Sequence, residues 1–588
     1  MIFNKMHILP FFLSFICIAS HGMGFIEYAN KSKINSYLHE YLYLHTDRDI
    51  YVAGEDIFFK VYLLNSNTNS EIQNSKIAYF VIRDKNQKRI IESRIWLENN
   101  NGFGQIYIPD TLSTGTYQIS VFTNWMKDEF EQFRFNKEVF IVNRFDTDYE
   151  VNEVDVSQSN LNFEMSTGKM ATNLNRDSSY LLKLNASSEK YSARSKVAIN
   201  ALFSSLSIDD SIADVSISVS EINLLDRNEK NSIFGKYLFQ SDSFKNDLNY
   251  KDIETKGIIV SGKIRSDDNE INGQTIYLST PDTIANLQYV ITDSSGSFHF
   301  MLSSYYEGKS LFIGLMKNKK NANYNFIIDD KYSSFIPYKP SNNYAKIQSS
   351  YIKRLQDIAT VNKSFEVKFS KELTSELSYF YCPQLYSNAD HSVHTSDFLY
   401  LNQLDVIIQE TLYGVKINKK DKNSVNIFDS HRNQIYTNSF VFLDGVPFFN
   451  ISKVLEYGTD KVKRIEVINS TWVLDTLLFN GVLSIFTHNY EIFNFKNEKN
   501  QIVIPVGKYL PRTTFFYPNY SSGNIMQNKP DFRQLLYWNP QVKLVKDKPK
   551  VIEFFTSDLC SDFLVKVEGV TNMGKPVSST IIIKVEND

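Results

Sequence analysis

Cysteine is nearly absent: three in 588 residues, at 17, 382 and 560. Cys17 falls in an N-terminal apolar stretch. Cys382 and Cys560 are too few for a disulfide framework and lie in stretches expected to belong to different domains, so both read as isolated thiols. No cysteine-rich metal pattern exists, and no glycine-flanked serine elbow stands out. A nucleophile with a partner base is therefore not evident, and the chain reads as non-enzymatic, with no cofactor. A charge excess is also missing. The formal net charge is −3 and the pI about 6.4, which gives no pull toward nucleic acid. After the N-terminus no run of ~18 apolar residues occurs, so no transmembrane helix is expected there. His391 and His394 would suit a metal only on a helix and with further ligands, so they read as loop histidines. Asp209-Asp210 and Asp267-Asp268 read as turn acids, where calcium binding would be generic.

What is present is length, aromatics and β-formers. The chain is too long for one core, so three to five domains are expected. Tyr 35 and Phe 44, with mean hydropathy −0.29, suit a folded β-rich protein. Residues 1–22 read as a secretory signal. Lys5 supplies the positive end, residues 8–19 the apolar core, and Ser20-His21-Gly22 the cleavage site. The apolar run is short for a membrane anchor. Cys17 invites lipidation, but Ser14-Phe15-Ile16 is a poor lipobox, so cleavage is favoured. An exported protein follows, associated with the outer membrane, the cell surface or the periplasm.

Residues 41–145 carry short strands and turn signals without a long helix, the pattern of a β-sandwich. Ile57, Phe59 and Val61 alternate with Phe58, Lys60 and Tyr62. His45-Thr46-Asp47-Arg48 with Tyr51, Gly54 and Glu55, then residues 102–109, Gly115-Thr116-Tyr117 and Thr123-Asn124-Trp125-Met126, resemble the macroglobulin-type β-sandwich of bacterial α2-macroglobulin-like proteins. His45, Asp47 and Arg48 read as an ion-paired loop rather than a site. Residues 160–239 are expected to form a second such domain, entered at residues 191–197. There Val215, Ile217 and Val219 alternate with Ser216, Ser218 and Ser220, which predicts one buried face and one wet face. Residues 226–252 read as a linker. Residues 257–326 carry Val260, Gly262, Ile264, Gly273, Ile276-Tyr277-Leu278, Thr292-Asp293, Gly296, Phe298 and Phe300, and resemble the non-catalytic, prealbumin-like carboxypeptidase-regulatory sandwich. Residues 329–378 read as a connector with a helix near 344–358.

Residues 379–489 contain three strand-like runs, at 440–443, 465–468 and 482–486. Asp444-Gly445 supplies a turn and residues 452–457 a helical turn. A helix is expected from Ser396 or Asp397 to Tyr413, with Leu401, Leu404, Ile408 and Leu412 as its core face and Gly414 as its stop. Asp444-Gly445-Val446-Pro447, Ile465-Glu466-Val467, and Gly481-Val482 with Ser484-Ile485 resemble the plug domain of TonB-dependent outer-membrane receptors. The glycine-rich link usual before the last strand is missing, since residues 472–480 stand there. Residues 493–588 resemble a terminal immunoglobulin-like sandwich. The fold class expected is thus mainly β and multidomain: tandem sandwiches, one small α/β plug-like domain and a C-terminal sandwich.

A transporter is excluded by arithmetic. A plugged barrel of about 22 strands, at ~9–11 residues each, needs far more chain than follows residue 488. A protease trap of the macroglobulin kind carries a Cys-Gly-Glu-Gln thioester, and neither Cys382 nor Cys560 sits in one. The expectation is a secreted binding or scaffold protein whose plug-like domain engages an outer-membrane protein, such as a β-barrel of a transport or secretion system. A soluble receptor for a glycan or peptide is the alternative, and a macroglobulin-like protease inhibitor the third. Candidate partner-binding residues are Asp444, Gly445, Lys461, Lys463, Arg464, Tyr517, Tyr520, Tyr537 and Trp538. For Asp444-Gly445 and the 461–464 run, a turn and a solvated strand entry are the weightier reading.

Overall fold

β-branched and aromatic residues at two-residue spacing make strands the dominant element of this chain. The structure, a computed structural model, describes residues 40–65, 74–127, 135–147, 180–222, 233, 253–267, 269–316, 323–332, 347, 349–365, 370–372, 383–418, 424–496, 498–522 and 529–586. The expected signal, Cys17, Cys382, Asp268, nearly all of the 226–252 linker and parts of the 329–378 connector lie outside the described residues.

The first sandwich packs a three-stranded sheet on a five-stranded one. The smaller has the order Glu40–Thr46, Asp56–Asn65, Asn101–Tyr107. The larger runs Ile50–Val52, Phe135–Val142, Gly115–Phe122, Ile77–Arg83, Arg89–Trp96. Ile57, Phe59 and Val61 point into its core as their spacing predicts. The opposite face of the same strand is also buried: Phe58, Lys60 and Tyr62 are as inaccessible as the core.

What covers that face is a second sandwich built from two distant stretches. Its three-stranded sheet has the order Lys550–Phe555, Lys196–Ser205, Tyr180–Ala186. Its five-stranded sheet runs Lys190–Tyr191, Pro576–Val585, Asp562–Thr571, Ile212–Glu221, Leu535–Val545. The two stretches expected as separate sandwiches, 160–239 and 493–588, thus contribute strands to one. The physical reason is pairing: the strand Ile212–Glu221 finds hydrogen-bonding neighbours on both edges only among the late strands. Its serine face, expected to be wet, is buried against the first sandwich.

The third sandwich is inserted between the halves of the second. Ser297–Met301, Ile259–Arg265 and Asn325–Ile328 form one sheet. Gln288–Ile291, Thr275–Ser279, Ser310–Leu315 and Gln501–Pro505 form the other, so it too is closed by a late strand. Phe298 and Phe300 point to the core as expected, and this core is continuous with that of the first sandwich. The helix expected near 344–358 is Ser349–Ser364. It packs Ile352 and Leu355 on Ile50, Val52, Phe140 and Val142 of the first sandwich.

Inside the third sandwich, in turn, sits an α/β unit. Its main sheet has the order His391–His394, Val462–Leu474, Leu477–Thr487, Phe440–Leu443, Val446–Pro447; a small sheet joins Val415–Ile417, Val425–Asp429 and Gln434–Tyr436. The three expected strand runs and the helical turn (Ile451–Leu455) are present. The expected helix is only Leu404–Thr411, preceded by a 3-10 turn at Thr395–Phe398. Leu404, Ile408 and Leu412 are core, as their spacing predicts. Residues 472–480, which stand where the plug family has its glycine-rich link, are strand and turn. They extend two strands into a hairpin turning at Asp475-Thr476, and Gly481 lies inside the second strand at φ +74° with a Cβ position 2.9 Å from Ile427 Cβ. His391 and His394 lie on a strand, where a separation of three puts them on opposite faces. Among the described residues no group of three or more His, Cys, Asp or Glu is arranged to hold a metal. No helix among them is long and apolar enough to cross a membrane.

Candidate functional site

Alternation on four strands brings the polar residues of the first two sandwiches face to face. From Glu40–Thr46 come Tyr43 and His45, from Asp56–Asn65 come Lys60 and Tyr62, and from the split sandwich come Asp214, Ser216, Ser218, Lys566 and Glu568. His45 Nδ1 lies 2.6 Å from Ser216 Oγ, and Nε2 3.4 Å from Ser218 Oγ. Glu568 Oε2 is 3.9 Å from His45 Nε2 and accepts a 2.5 Å bond from the Tyr43 hydroxyl. Tyr62 meets Ser216 Oγ at 2.8 Å and donates to the Glu568 carbonyl at 2.9 Å. Lys60 Nζ donates to Asp214 Oδ1 at 2.7 Å, and Lys566 Nζ stands 3.3 Å from Glu568. Trp538 closes one side, its ring 5.2 Å from that of His45.

Serine, histidine and glutamate in this order are the parts of a nucleophile–base–acid set. The surroundings deny them that use. The His45 and Glu568 side chains are wholly inaccessible, and Ser216 is buried. Burial drives the His45 pKa well below its ordinary value, and Lys566, Lys137 and Lys60 add to the effect, so the ring is neutral at pH 7. Buried in this way, the cluster joins the two sandwiches. It satisfies buried polar groups across two domains, which otherwise cost about 1–3 kcal/mol each.

In the loop beside it the ion-paired reading holds for Asp47 and Arg48, whereas His45, read as part of that loop, lies in the strand Glu40–Thr46 and belongs to the polar joint. Asp47 Oδ1 accepts from the Tyr51 hydroxyl (2.8 Å) and the Phe58 amide (3.0 Å), while Arg48 reaches Asp47 (3.2 Å) and Glu55 (3.1 Å). Burial pushes the Asp47 carboxyl up to about 7. Glu254 rises to about 7 for the same reason. It accepts from Tyr79 of the first sandwich (2.8 Å) and the Ile259 amide of the third (2.7 Å), so it pins those two together.

Of the residues expected to bind a partner, most are consumed internally. Asp444 is buried, not a surface candidate. Its carboxylate accepts from the Thr487 amide (2.6 Å) and hydroxyl (2.8 Å) and from the Ile492 amide (3.1 Å). Gly445, at φ +85°, has its Cβ position 2.4 Å from the Ile284 carbonyl oxygen, and its own carbonyl accepts from the Asn286 amide. This turn is therefore the seat of the α/β unit on the third sandwich. Arg464 pairs with Glu466 (2.9 Å) and donates to the Thr283 carbonyl (2.7 Å) across the same seam. Tyr537 and Trp538 are buried, because their strand belongs to the split sandwich. Tyr517 is half-buried against Tyr537 (5.3 Å), and Tyr520 donates to Asp531 (2.6 Å) beneath the Arg194 guanidinium. Tyr517, Tyr520 and Tyr537 thus pack on the split sandwich, and Trp538 packs against Phe58 and His45 of the first. Lys461 and Lys463 remain exposed.

Sequence reasoning missed the most exposed apolar loop of the α/β unit. Leu399 is 82% and Tyr400 76% exposed, and Tyr413 is 61% exposed beside His391. Hydrogen bonds from Thr395 to the Val462 carbonyl and from Thr459 to the Leu401 carbonyl hold this loop next to residues 459–463, which carry Lys461 and Lys463. The signal was available: Phe398-Leu399-Tyr400-Leu401 breaks the helical spacing that starts at Leu404.

Comparison with known proteins bears on the first sandwich. The MG2 domain family model matches residues 41–136. No curated protein matches the chain. Among solved structures the chain is similar to Salmonella alpha-2-macroglobulin reacted with methylamine, at 6% identity and TM-score 0.23, over 95% of this chain and 40% of that one. It is also similar to Escherichia coli alpha-2-macroglobulin activated by porcine elastase, at 7% identity and TM-score 0.23, over 93% of this chain and 44% of that one. The chain thus spans less than half the length of these structures. Over residues 41–136 it is macroglobulin-like, as its motifs led one to expect.

Proposed function

We propose that this chain is an exported, non-enzymatic binding scaffold, in which nested sandwiches hold a plug-like α/β unit that docks an outer-membrane protein such as a β-barrel. The observation that carries this reading is the contrast within the α/β unit. Its turn and its arginine are spent on internal seams, whereas Leu399, Tyr400 and Tyr413 stand in solvent with Lys461 and Lys463 beside the loop. Aromatic and aliphatic side chains at a fixed loop are the anchors on which interfaces concentrate their energy. The test is a photo-crosslinking residue at position 400 in cells, with one at exposed Ser294 as control. A crosslink to one outer-membrane protein from position 400 alone, lost in Leu399→Asp, supports the reading. No membrane-protein adduct at either position sinks it.

The macroglobulin-like first sandwich favours a second reading, protease inhibition. Incubation with trypsin or elastase would then yield a size-trapped or covalent complex on gel filtration; intact protease activity toward a protein substrate rules it out.

A further inference from the structure

We propose that one end of the split sandwich is an anionic-membrane contact, with Leu206 and Ile208 as the inserting side chains. These two lie in the connection between Lys196–Ser205 and Ile212–Glu221, and they are 79% and 91% exposed. Ile212, Val545 and Met573 are exposed at the same end. Ile212 and Val545 are cross-strand partners, and Met573 follows the strand Asp562–Thr571.

Three loops meet here, and their hydrogen bonds hold the apolar side chains outward. The Asn572 side-chain oxygen accepts from the Ser211 (3.0 Å) and Ile212 (3.2 Å) amides, and its amide nitrogen donates to the Asp209 carbonyl (2.8 Å). Lys546 donates to the Ser207 carbonyl through its amine (3.0 Å) and to the Ser211 carbonyl through its amide (2.9 Å). A loop pinned at 207, 209, 211 and 212 cannot fold residues 206 and 208 back onto the sandwich.

The rim sets the occupant. Lys543, Lys548, Lys550 and Lys575 are exposed around these loops, against exposed Asp209 and Asp547. Projecting aliphatic tips ringed by lysines suit a lipid interface, where the tips enter the acyl boundary and the long amine stems stay at the headgroups. A flat protein interface instead favours aromatic residues and depletes lysine. The surface is separate from the exposed loop of the α/β unit and does not rest on that reading.

Flotation of the purified chain with vesicles tests it. Vesicles of phosphatidylethanolamine with roughly a quarter phosphatidylglycerol are expected to carry the protein, and phosphatidylcholine vesicles to carry much less. Leu206→Asp with Ile208→Asp should weaken binding at least about tenfold, with the melting temperature unchanged because both side chains are in solvent. In Ile208→Trp the added indole should blue-shift its emission on the anionic vesicles. No flotation, equal flotation on both lipids, wild-type binding by the double aspartate variant, or an unmoved emission spectrum each overturns the proposal. So does self-association that the aspartate pair abolishes without any vesicle binding.

Discussion

At the scale of single residues, pH acts on this molecule from two sides. His45 has a folded pKa below its ordinary 6.5, so the unfolded chain takes up a proton first as pH falls. Its contribution is complete above about 6.5 and is lost as pH falls below that toward the folded value. In His45→Asn, which keeps a polar group but does not titrate, the difference in stability from wild type should shrink between pH 7 and pH 5. The expected slope is on the order of 1 kcal/mol per pH unit, read from urea midpoints. Glu254 behaves oppositely. Its folded pKa of about 7 exceeds its ordinary 4.5, so its contribution is whole below 4.5 and is lost as pH rises through 7. Glu254→Gln should accordingly lose less melting temperature than wild type between pH 5 and pH 8. Gly445 is constrained by space rather than by charge. Alanine there places a methyl against the Ile284 carbonyl in a left-handed backbone, and should cost about 1–3 kcal/mol.

At the scale of elements, the strand Ile212–Glu221 shows how one pattern serves two environments. Its valine and isoleucine face fills the core of the split sandwich, and its serine face lies in the polar joint. Ser216→Val would leave His45 Nδ1 and the Tyr62 hydroxyl without this partner. The expected loss is about 2–3 kcal/mol, against under about 0.5 kcal/mol had the face been solvated. A guanidinium titration of the single variant decides between them. The alternation was legible, and so was the core it pointed to. What lay opposite the serines was not, because alternation describes two faces of a strand and says nothing of what stacks on the second. The lengths of the strands Val462–Leu474 and Leu477–Thr487 were hidden similarly. Trp472 and Leu474 lie beyond the expected run 465–468, and only their cross-strand partners Phe479 and Leu477 show them to be strand.

At the scale of the whole molecule, the chain is built as one insertion inside another. The hydroxyl of Tyr43 meets Glu568 525 residues further along the chain. Removal of residues 535–588 takes away the neighbours of Ile212–Glu221, strips Leu535 and Trp538 from Phe58 and removes the Glu568 carbonyl that Tyr62 bonds. That truncated chain is expected to aggregate or to lose the cooperative unfolding of its N-terminal half, followed by circular dichroism. Residues 253–510 should behave differently. They contain every strand of the third sandwich and of the α/β unit, so they should melt cooperatively alone; a molten, dye-binding product would show that the first sandwich is required.

By itself the sequence determined the strands, their inward faces and the macroglobulin-like character of the first sandwich. These follow from local spacing and from motifs contained within one domain: Ile77–Arg83 and Phe440–Leu443 were legible from their own residues. Tertiary structure alone decided which strands share a sheet, that Tyr537 and Trp538 are packing rather than contact surface, and that Asp444 is a buried staple. Strand pairing and burial depend on neighbours hundreds of residues away. A backbone hydrogen-bond donor, or a serine on a strand's second face, carries no mark of which distant partner will satisfy it.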